Sequence, residues 1–527
     1  MKPRPILLTI GGILLLLGGF MLIPAGFAVF YGGEDIISLF AGAFLTSAAG
    51  GILVLIGRQI KDKGRANSRT AFAIVTLSWF AISLMGSFPY YLYGKLARYS
   101  AKTVNGSHEK TYRITTCNGD VTDTIGEEFC SFSNCFFESA SGFTTTGSSI
   151  LASGLWETPH KRDGLPHGLL VWRSLSQWLG GMGIIVLGMA VFPILGIGGM
   201  ALFKAEVPGP TADKISPQIA QTSKLLWIIY LIITIAEIIL LWPVTGFFQA
   251  FNHALTTMAT GGFSPLAASV GGFTSSWVHW VITIFMFLAG ANFVLHFLVL
   301  TRRNYLAHLK DQEFVYYTVF TILATAVVAF GIRSLYATDS VRHAAFQVVS
   351  IMTTTGYATV DFESWITLKG FSSLAPLMIL IIMFIGGCAG STGGGPKVMR
   401  YIVIIKKSMR DLYRLIHPRA AIVVHYGGKP VSEEVLSSVS GFFFLYFGVF
   451  TLGAIAVAAH GYDIISSITA SITTLGNIGP GLGAVGPADN FLHFPSSVKW
   501  ILSLLMIMGR LEVFTVIVLF IPDFWRK

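Results

Sequence analysis

Four times along the chain, a short run of threonine and small residues carrying a glycine falls directly between apolar segments. Phe143 to Ser149 reads F-T-T-T-G-S-S, Thr257 to Ser264 reads T-M-A-T-G-G-F-S, Ile351 to Thr359 reads I-M-T-T-T-G-Y-A-T, and Ile472 to Gly479 reads I-T-T-L-G-N-I-G. One such run would be an ordinary turn, because Thr and Gly are common in loops. Four, each followed by a long apolar segment, point instead to four equivalent loops in one chain. Such loops suit one task well, which is to replace the water shell of a bare potassium ion with rings of backbone carbonyls. Aiming successive carbonyls together needs alternating backbone conformations, and glycine reaches the left-handed ones without steric cost. Threonine adds a β-branched side chain that stiffens the loop. The candidate ion-binding positions are Thr145, Thr146, Gly147, Thr260, Gly261, Thr354, Thr355, Gly356, Leu475, Gly476 and Asn477, with potassium at their carbonyls.

Composition decides the solvent. The 527 residues are 53% hydrophobic and 12% charged, whereas soluble domains carry roughly 25% charged residues. This is an all-α integral membrane protein by composition. The net charge of +10 follows from Lys and Arg on cytoplasmic loops, and does not imply a nucleic-acid partner. The apolar run Ile6 to Phe30 exceeds the roughly 7–15 residues of a signal-peptide core, and a second run follows closely, so it is expected to be a retained helix.

Runs of roughly 20 apolar residues are long enough to span a bilayer. They predict two N-terminal spans, Ile6 to Phe30 and Ile36 to Ile56, in residues 1–69. Four units of helix, pore half-helix, filter loop and helix (M–P–M) then surround one central pore, giving ten spans. The first unit, 70–215, holds Phe72 to Tyr93, a half-helix from Phe129 to Gly142 and Leu169 to Phe192. Its external loop, 94–128, carries Cys117 and, after it, Cys130 follows as a candidate disulfide partner. The second unit, 216–312, holds Leu225 to Trp242, Phe248 to Ala259 and Val278 to Leu300. The third, 313–433, holds Phe314 to Ile332, Val341 to Met352 and a span from Leu374. The fourth, 434–527, holds Val435 to Ala459, Ile464 to Thr473 and Val498 to Ile521. Basic clusters from Arg58 to Arg65, at Arg302 and Arg303, and from Lys397 to Lys429 place both termini on the cytoplasmic side. The half-helices then point their C-termini, each worth roughly half a negative charge, at a common centre. Asp463 is a candidate cap of the fourth, and Glu138 in the first reads as structural.

Two intramembrane features stand out. The span from Leu374 is interrupted by Gly386, Gly387, Gly390, Gly393, Gly394 and Gly395, followed by Pro396. A straight helix does not survive that composition, and a loop across the pore acting as a gate is expected. Its G-S-T-G-G-G-P-K lacks the spacing of a phosphate cradle. Arg510, mid-way along the last span, is too deep to reach either surface. An ionisable residue there is a functional candidate, set to form a barrier and to hold the gate loop by its carbonyls; a buried pair with Glu512 or Glu237 is the alternative. An enzyme would need a clustered nucleophile, base or metal set, and His108, His160, His167, His253, His279 and His296 are scattered without ligand spacing.

Together, the four units, two extra spans, loop glycines, glycine-rich interruption and late arginine resemble the Trk/Ktr/HKT superfamily of potassium transporters, most closely its bacterial TrkH branch. The resemblance implies a potassium-translocating subunit of the bacterial inner membrane, a homodimer, gated by a cytosolic ring of nucleotide-binding (RCK-type) subunits. It matches Gly147, Gly261, Gly356 and Gly476 to the filter glycines, with the second loop uncertain by one because Gly261 and Gly262 adjoin. It matches Gly386 to Gly395 to the gate and Arg510 to the pore arginine. In related plant transporters a serine at the first filter position goes with sodium preference; Gly147 therefore favours potassium. Sodium permeation, or sodium- or proton-coupled symport on the same fold, is the alternative.

Overall fold

The computed structural model describes residues 3–61, 68–96, 127–151, 165–183 and 219–526. Most of the expected external loop with Cys117 and the end of the expected span Leu169 to Phe192 lie outside them. Cys130 is disulfide-bonded, while Cys135 and Cys388 are free and buried.

Among the described residues, six helices are long and apolar enough to cross a membrane: Pro3–Tyr31, Ile36–Gln59, Arg69–Lys95, Lys224–Thr245, Gln312–Gly331 and Glu433–Ala458. Their outward faces are hydrocarbon, with Phe44 72% and Phe444 80% exposed, which only an apolar solvent accommodates. The first two pack backbone to backbone. A Cβ on Gly11 would stand 2.7 Å from the carbonyl of Gly50, the close approach that small residues permit between membrane helices.

Four short helices lie inside this cage: Phe132–Phe143, Phe247–Met258, Ser340–Met352 and Ile464–Leu475. Most of their side chains are buried, many polar ones included, with the exposed ones mainly near the N-terminal ends, such as Val341 and Ile464. Asp463 caps the fourth by accepting from the backbone N–H of Ser466 at 3.1 Å. Hydrogen bonds from the Ser466 side chain and then from its N–H hold the carboxyl below the usual aspartate range, and the cap puts negative charge at the positive end of the helix dipole.

Each short helix leads through a loop into a further helix: His167–Gly181, Ser276–Ala289, Leu374–Ile382 and Ser496–Arg510. Two of these correct the sequence reading. The expected continuous spans Val278 to Leu300 and Val498 to Ile521 are both broken. Ser276–Ala289 and Phe293–Arg302 meet at 99°, and Ser496–Arg510 and Phe514–Phe520 at 113°. Asn292 makes the first break by capping a new helix, accepting from the N–H of Val294 at 2.9 Å. At the second, Glu512 and Val513 take positive φ, 57 and 53. The third helix of this kind ends at Ile382, a few residues before the expected interruption at Gly386, and the chain resumes as the strongly amphipathic helix Val398–Ile416. A two-residue β-hairpin, His425–Tyr426 with Lys429–Pro430, is the one departure from an all-helical fold among the described residues.

Candidate ion pathway

The four loops share one backbone course. The first residue after each short helix is right-handed: Thr144 at φ −77, Ala259 at −76, Thr353 at −81 and Gly476 at −80. The second is left-handed although none is glycine: Thr145 at 55, Thr260 at 52, Thr354 at 59 and Asn477 at 53. The third turns its N–H back into its own helix, from Thr146 to Ser141 O, Gly261 to Thr256 O, Thr355 to Ser350 O and Ile478 to Thr473 O, all at 2.8–2.9 Å. The fourth is glycine at positive φ: Gly147 at 82, Gly262 at 78, Gly356 at 84 and Gly479 at 101.

This register corrects the sequence reading in two loops. The glycines equivalent to Gly147 and Gly356 are Gly262 and Gly479, not Gly261 and Gly476. Leu475 is the last residue of its helix, and Gly476 is the cap. The fourth short helix runs two residues past the expected Thr473, which shifts everything after it.

The four glycines close a ring. A Cβ on Gly147 would collide with the carbonyl of Gly261, one on Gly262 with that of Thr355, and one on Gly356 with that of Ile478; one on Gly479 would lie 2.8 Å from that of Thr146. Each loop thus leans on the next, first to second to third to fourth and back to first, and any side chain at these positions would push two loops apart. On one side the ring floors a cavity of about 140 Å³, lined by Gly147, Gly262, Gly356 and Gly479 with Arg173 and Asp489.

Side chains behind the ring brace it. Glu138 pairs with Arg173 at 2.7 Å, both buried, and accepts from the N–H of Ile150 at 3.0 Å. Arg173 stacks on the Phe263 ring at 4.1 Å, so one ion pair holds the exits of the first two loops. Gln177 donates to Gly261 O at 2.6 Å and accepts from Phe263 N at 3.1 Å. Asn477 donates to the Thr146 hydroxyl at 2.9 Å, joining the fourth loop to the first.

The glycine-rich segment lies against the other side of the ring. A Cβ on Gly394 would stand 2.5 Å from Gly476 O, and one on Gly393 3.0 Å from Thr353 O. The N–H of Gly394 donates to the Thr354 hydroxyl at 2.6 Å. Gly386 bonds across the segment to Pro396 O at 2.9 Å, and the N–H of Cys388 reaches Gly290 O at 2.9 Å. Gly390 O accepts from Phe293 N at 3.0 Å. Gly387 packs on Gly290, and Gly395 on Gly386. The helix break at Gly290 therefore frees a carbonyl that holds this segment.

Arg510 donates to Thr392 O at 2.7 Å, and to Gly180 O and Gly181 O at 2.6 and 2.7 Å. It grips the segment on one side and the end of helix His167–Gly181 on the other. Glu512 instead pairs with Arg400. Lys397 and Arg400, expected on a solvated inner loop, are buried, and the Lys397 ammonium donates to Gly393 O and Gly394 O.

A family model described as a cation transport protein, TrkH, matches residues 70–527. The chain belongs to the TrkH family. It is a membrane transporter rather than an enzyme, and among the described residues no group of His, Cys, Asp or Glu could hold a metal. The Trk system potassium uptake protein TrkH of Escherichia coli K12 is 39% identical over 92% of this chain and 91% of its own. The TrkH of Halomonas elongata is 37% identical over the same shares. The crystal structure of the potassium transporter TrkH from Vibrio parahaemolyticus superposes with a TM-score of 0.81 at 34% identity, covering 100% of both chains.

Sequence reasoning missed Gln177, the bracing role of Arg173 and the tethering by Lys397. Gln177 carried no signal, lying in a helix without a motif. Lys397 carried one: it adjoins the proline that ends the glycine-rich run, too close to the membrane interior for an ordinary loop lysine.

Proposed function

We propose that this TrkH-family chain is a potassium-uptake subunit of the bacterial inner membrane, passing dehydrated potassium through the ring of four loops. Ten spans, as two N-terminal helices and four M–P–M units, surround that one pore. The main-chain carbonyls of Thr145, Thr146, Thr260, Gly261, Thr354, Thr355, Asn477 and Ile478 hold the ion. Gly147, Gly262, Gly356 and Gly479 let the loops close to ion-coordinating distance. Four short-helix C-termini, each with roughly half a negative charge, make the centre favourable for a cation. What carries this reading is the closed cycle in which each ring glycine abuts the next loop's carbonyl.

The glycine-rich segment Gly386 to Gly395 is the gate, with Arg510 pinning it and adding positive charge on the pore axis. Both termini are cytoplasmic. The protein works as a homodimer, and a cytosolic ring of nucleotide-binding subunits docks on the basic surface from Lys406 to Lys429 and shifts the gate. Uptake is driven by the membrane potential, since an inward positive charge gains roughly 2.3 kcal/mol per 100 mV.

Rubidium and sodium flux into proteoliposomes, with and without an imposed voltage, tests this. The proposal expects rubidium entry that follows the voltage and little sodium entry. Sodium entry matching that of rubidium, or rubidium entry that needs a sodium or proton gradient, would replace it with the symport alternative.

A further inference from the structure

We propose that Glu313 is a positioning residue: its carboxylate ties the glycine-rich segment at Ala389 to the first turn of the helix that follows it, at Met399, and keeps the segment closed under the ring. The inference rests on reading that segment as the barrier.

Glu313 is the second residue of helix Gln312–Gly331 and only 4% exposed. Its Oε1 accepts from the N–H of Ala389 at 2.9 Å and from the N–H of Met399 at 2.9 Å. The first donor lies within the segment. The second lies in the opening turn of helix Val398–Ile416, where backbone N–H groups have no partner within their own helix. One oxygen thus ties two points of the chain, and the stretch between them carries Gly393, Gly394 and Lys397. Both bonds go to an ionisable acceptor inside the protein, the class of hydrogen bond that is shortest and strongest.

The clasp is connected outward. Beside it, Gln312 Oε1 accepts from the N–H of Gly427 in the hairpin at 2.9 Å. Lys406 donates to His425 O at 2.8 Å, fastening the hairpin to helix Val398–Ile416 as well. A displacement of the hairpin therefore pulls on the helix turn that carries Glu313. Arg510 and Thr354 hold the segment from the ring side. Glu313 holds it from the opposite side, where a partner acting on the hairpin could reach it.

Cys388 supplies the readout. It precedes Ala389, is 1% exposed and is a free thiol. The rate of its modification by N-ethylmaleimide in the full chain in proteoliposomes, read by mass spectrometry on its peptide, measures opening without requiring ion flux. E313D keeps the charge but withdraws the carboxylate by one methylene; E313Q loses the charge but keeps Oε1. The clasp predicts that E313D and E313A speed labelling by ~tenfold or more, the loss of a single hydrogen bond to a charged group. E313Q keeps both bonds to a neutral oxygen, which are weaker, and should speed labelling by clearly less than E313D does. If E313A does not fold, the Asp and Gln variants carry the test. Labelling unchanged in E313D, or accelerated as much in E313Q as in E313D, overturns the proposal. Faster labelling without a rise in rubidium flux keeps the clasp and removes the barrier reading on which it was built.

Discussion

The ring loops and the glycine-rich segment are both short, buried, irregular and glycine-bearing, and they touch, yet they are held in opposite ways. Each ring loop folds its third N–H back onto its own short helix, and its glycine rests on the next loop. Those constraints come from backbone, and no side-chain movement releases them. The glycine-rich segment is held mainly from elsewhere, by Arg510, Glu313, Thr354 and the carbonyl of Gly290. The ring loops are fixed first by their own backbone, with Arg173 and Gln177 bracing them from behind. The segment proposed as the gate is fastened largely by side chains of other helices. Non-helical backbone is tolerated at this depth because protein groups satisfy it in both cases.

That contrast can be broken on the ring side first. R173A strands the buried Glu138 carboxylate, and an unpaired buried charge costs ~3–5 kcal/mol. The expected outcome is a large drop in thermal stability of the purified protein; an unchanged melting temperature would show that Ile150 and Ser149 alone satisfy Glu138. G479A forces a side chain into left-handed backbone beside Thr146 O, a strain of ~1–3 kcal/mol. Rubidium over sodium selectivity should fall by about tenfold or more. G476A, at ordinary φ, should cost less; the reverse order would restore the register expected from sequence.

On the segment side, R510A removes three hydrogen bonds from a charged donor and should raise rubidium flux by ~tenfold while sparing selectivity. Flux that is unchanged or lost with normal folding would remove its barrier role. The smallest effect is at the cavity mouth. Glu363 is held above the usual glutamate range by burial and by the neighbouring Asp489, which lines the cavity. A raised value means that acidification neutralises Glu363 before an ordinary glutamate. Uptake from dilute rubidium should therefore weaken as pH falls through that range, and E363Q should flatten this part of the pH profile. A profile identical in E363Q would show that this carboxylate does not attract the ion.

Much of this architecture was legible in residue order. The short helices, the glycine-rich break after Ile382 and the Asp463 cap all follow from composition and local chemistry. Pairs of glycines were not legible. Gly261 and Gly262 look alike in sequence, as do Gly476 and Gly479, and only the length of the preceding helix decides which one becomes left-handed. The breaks at Asn292 and after Arg510 were hidden because the flanking residues remain apolar, and the average over a span does not register one capping side chain. The tethers at Gln177, Lys397 and Glu313 were hidden for a different reason. Gln177 and Glu313 bond backbone far away in the chain, while Lys397 bonds only three and four residues back and was marked in the sequence solely by the proline it adjoins.

The most direct measurement is anomalous diffraction from rubidium-soaked crystals of the protein. The account predicts rubidium on the axis of the ring, coordinated by main-chain oxygens of all four loops between the cavity and Gly394. Rubidium bound elsewhere, with that axis empty at saturating ion, would contradict it.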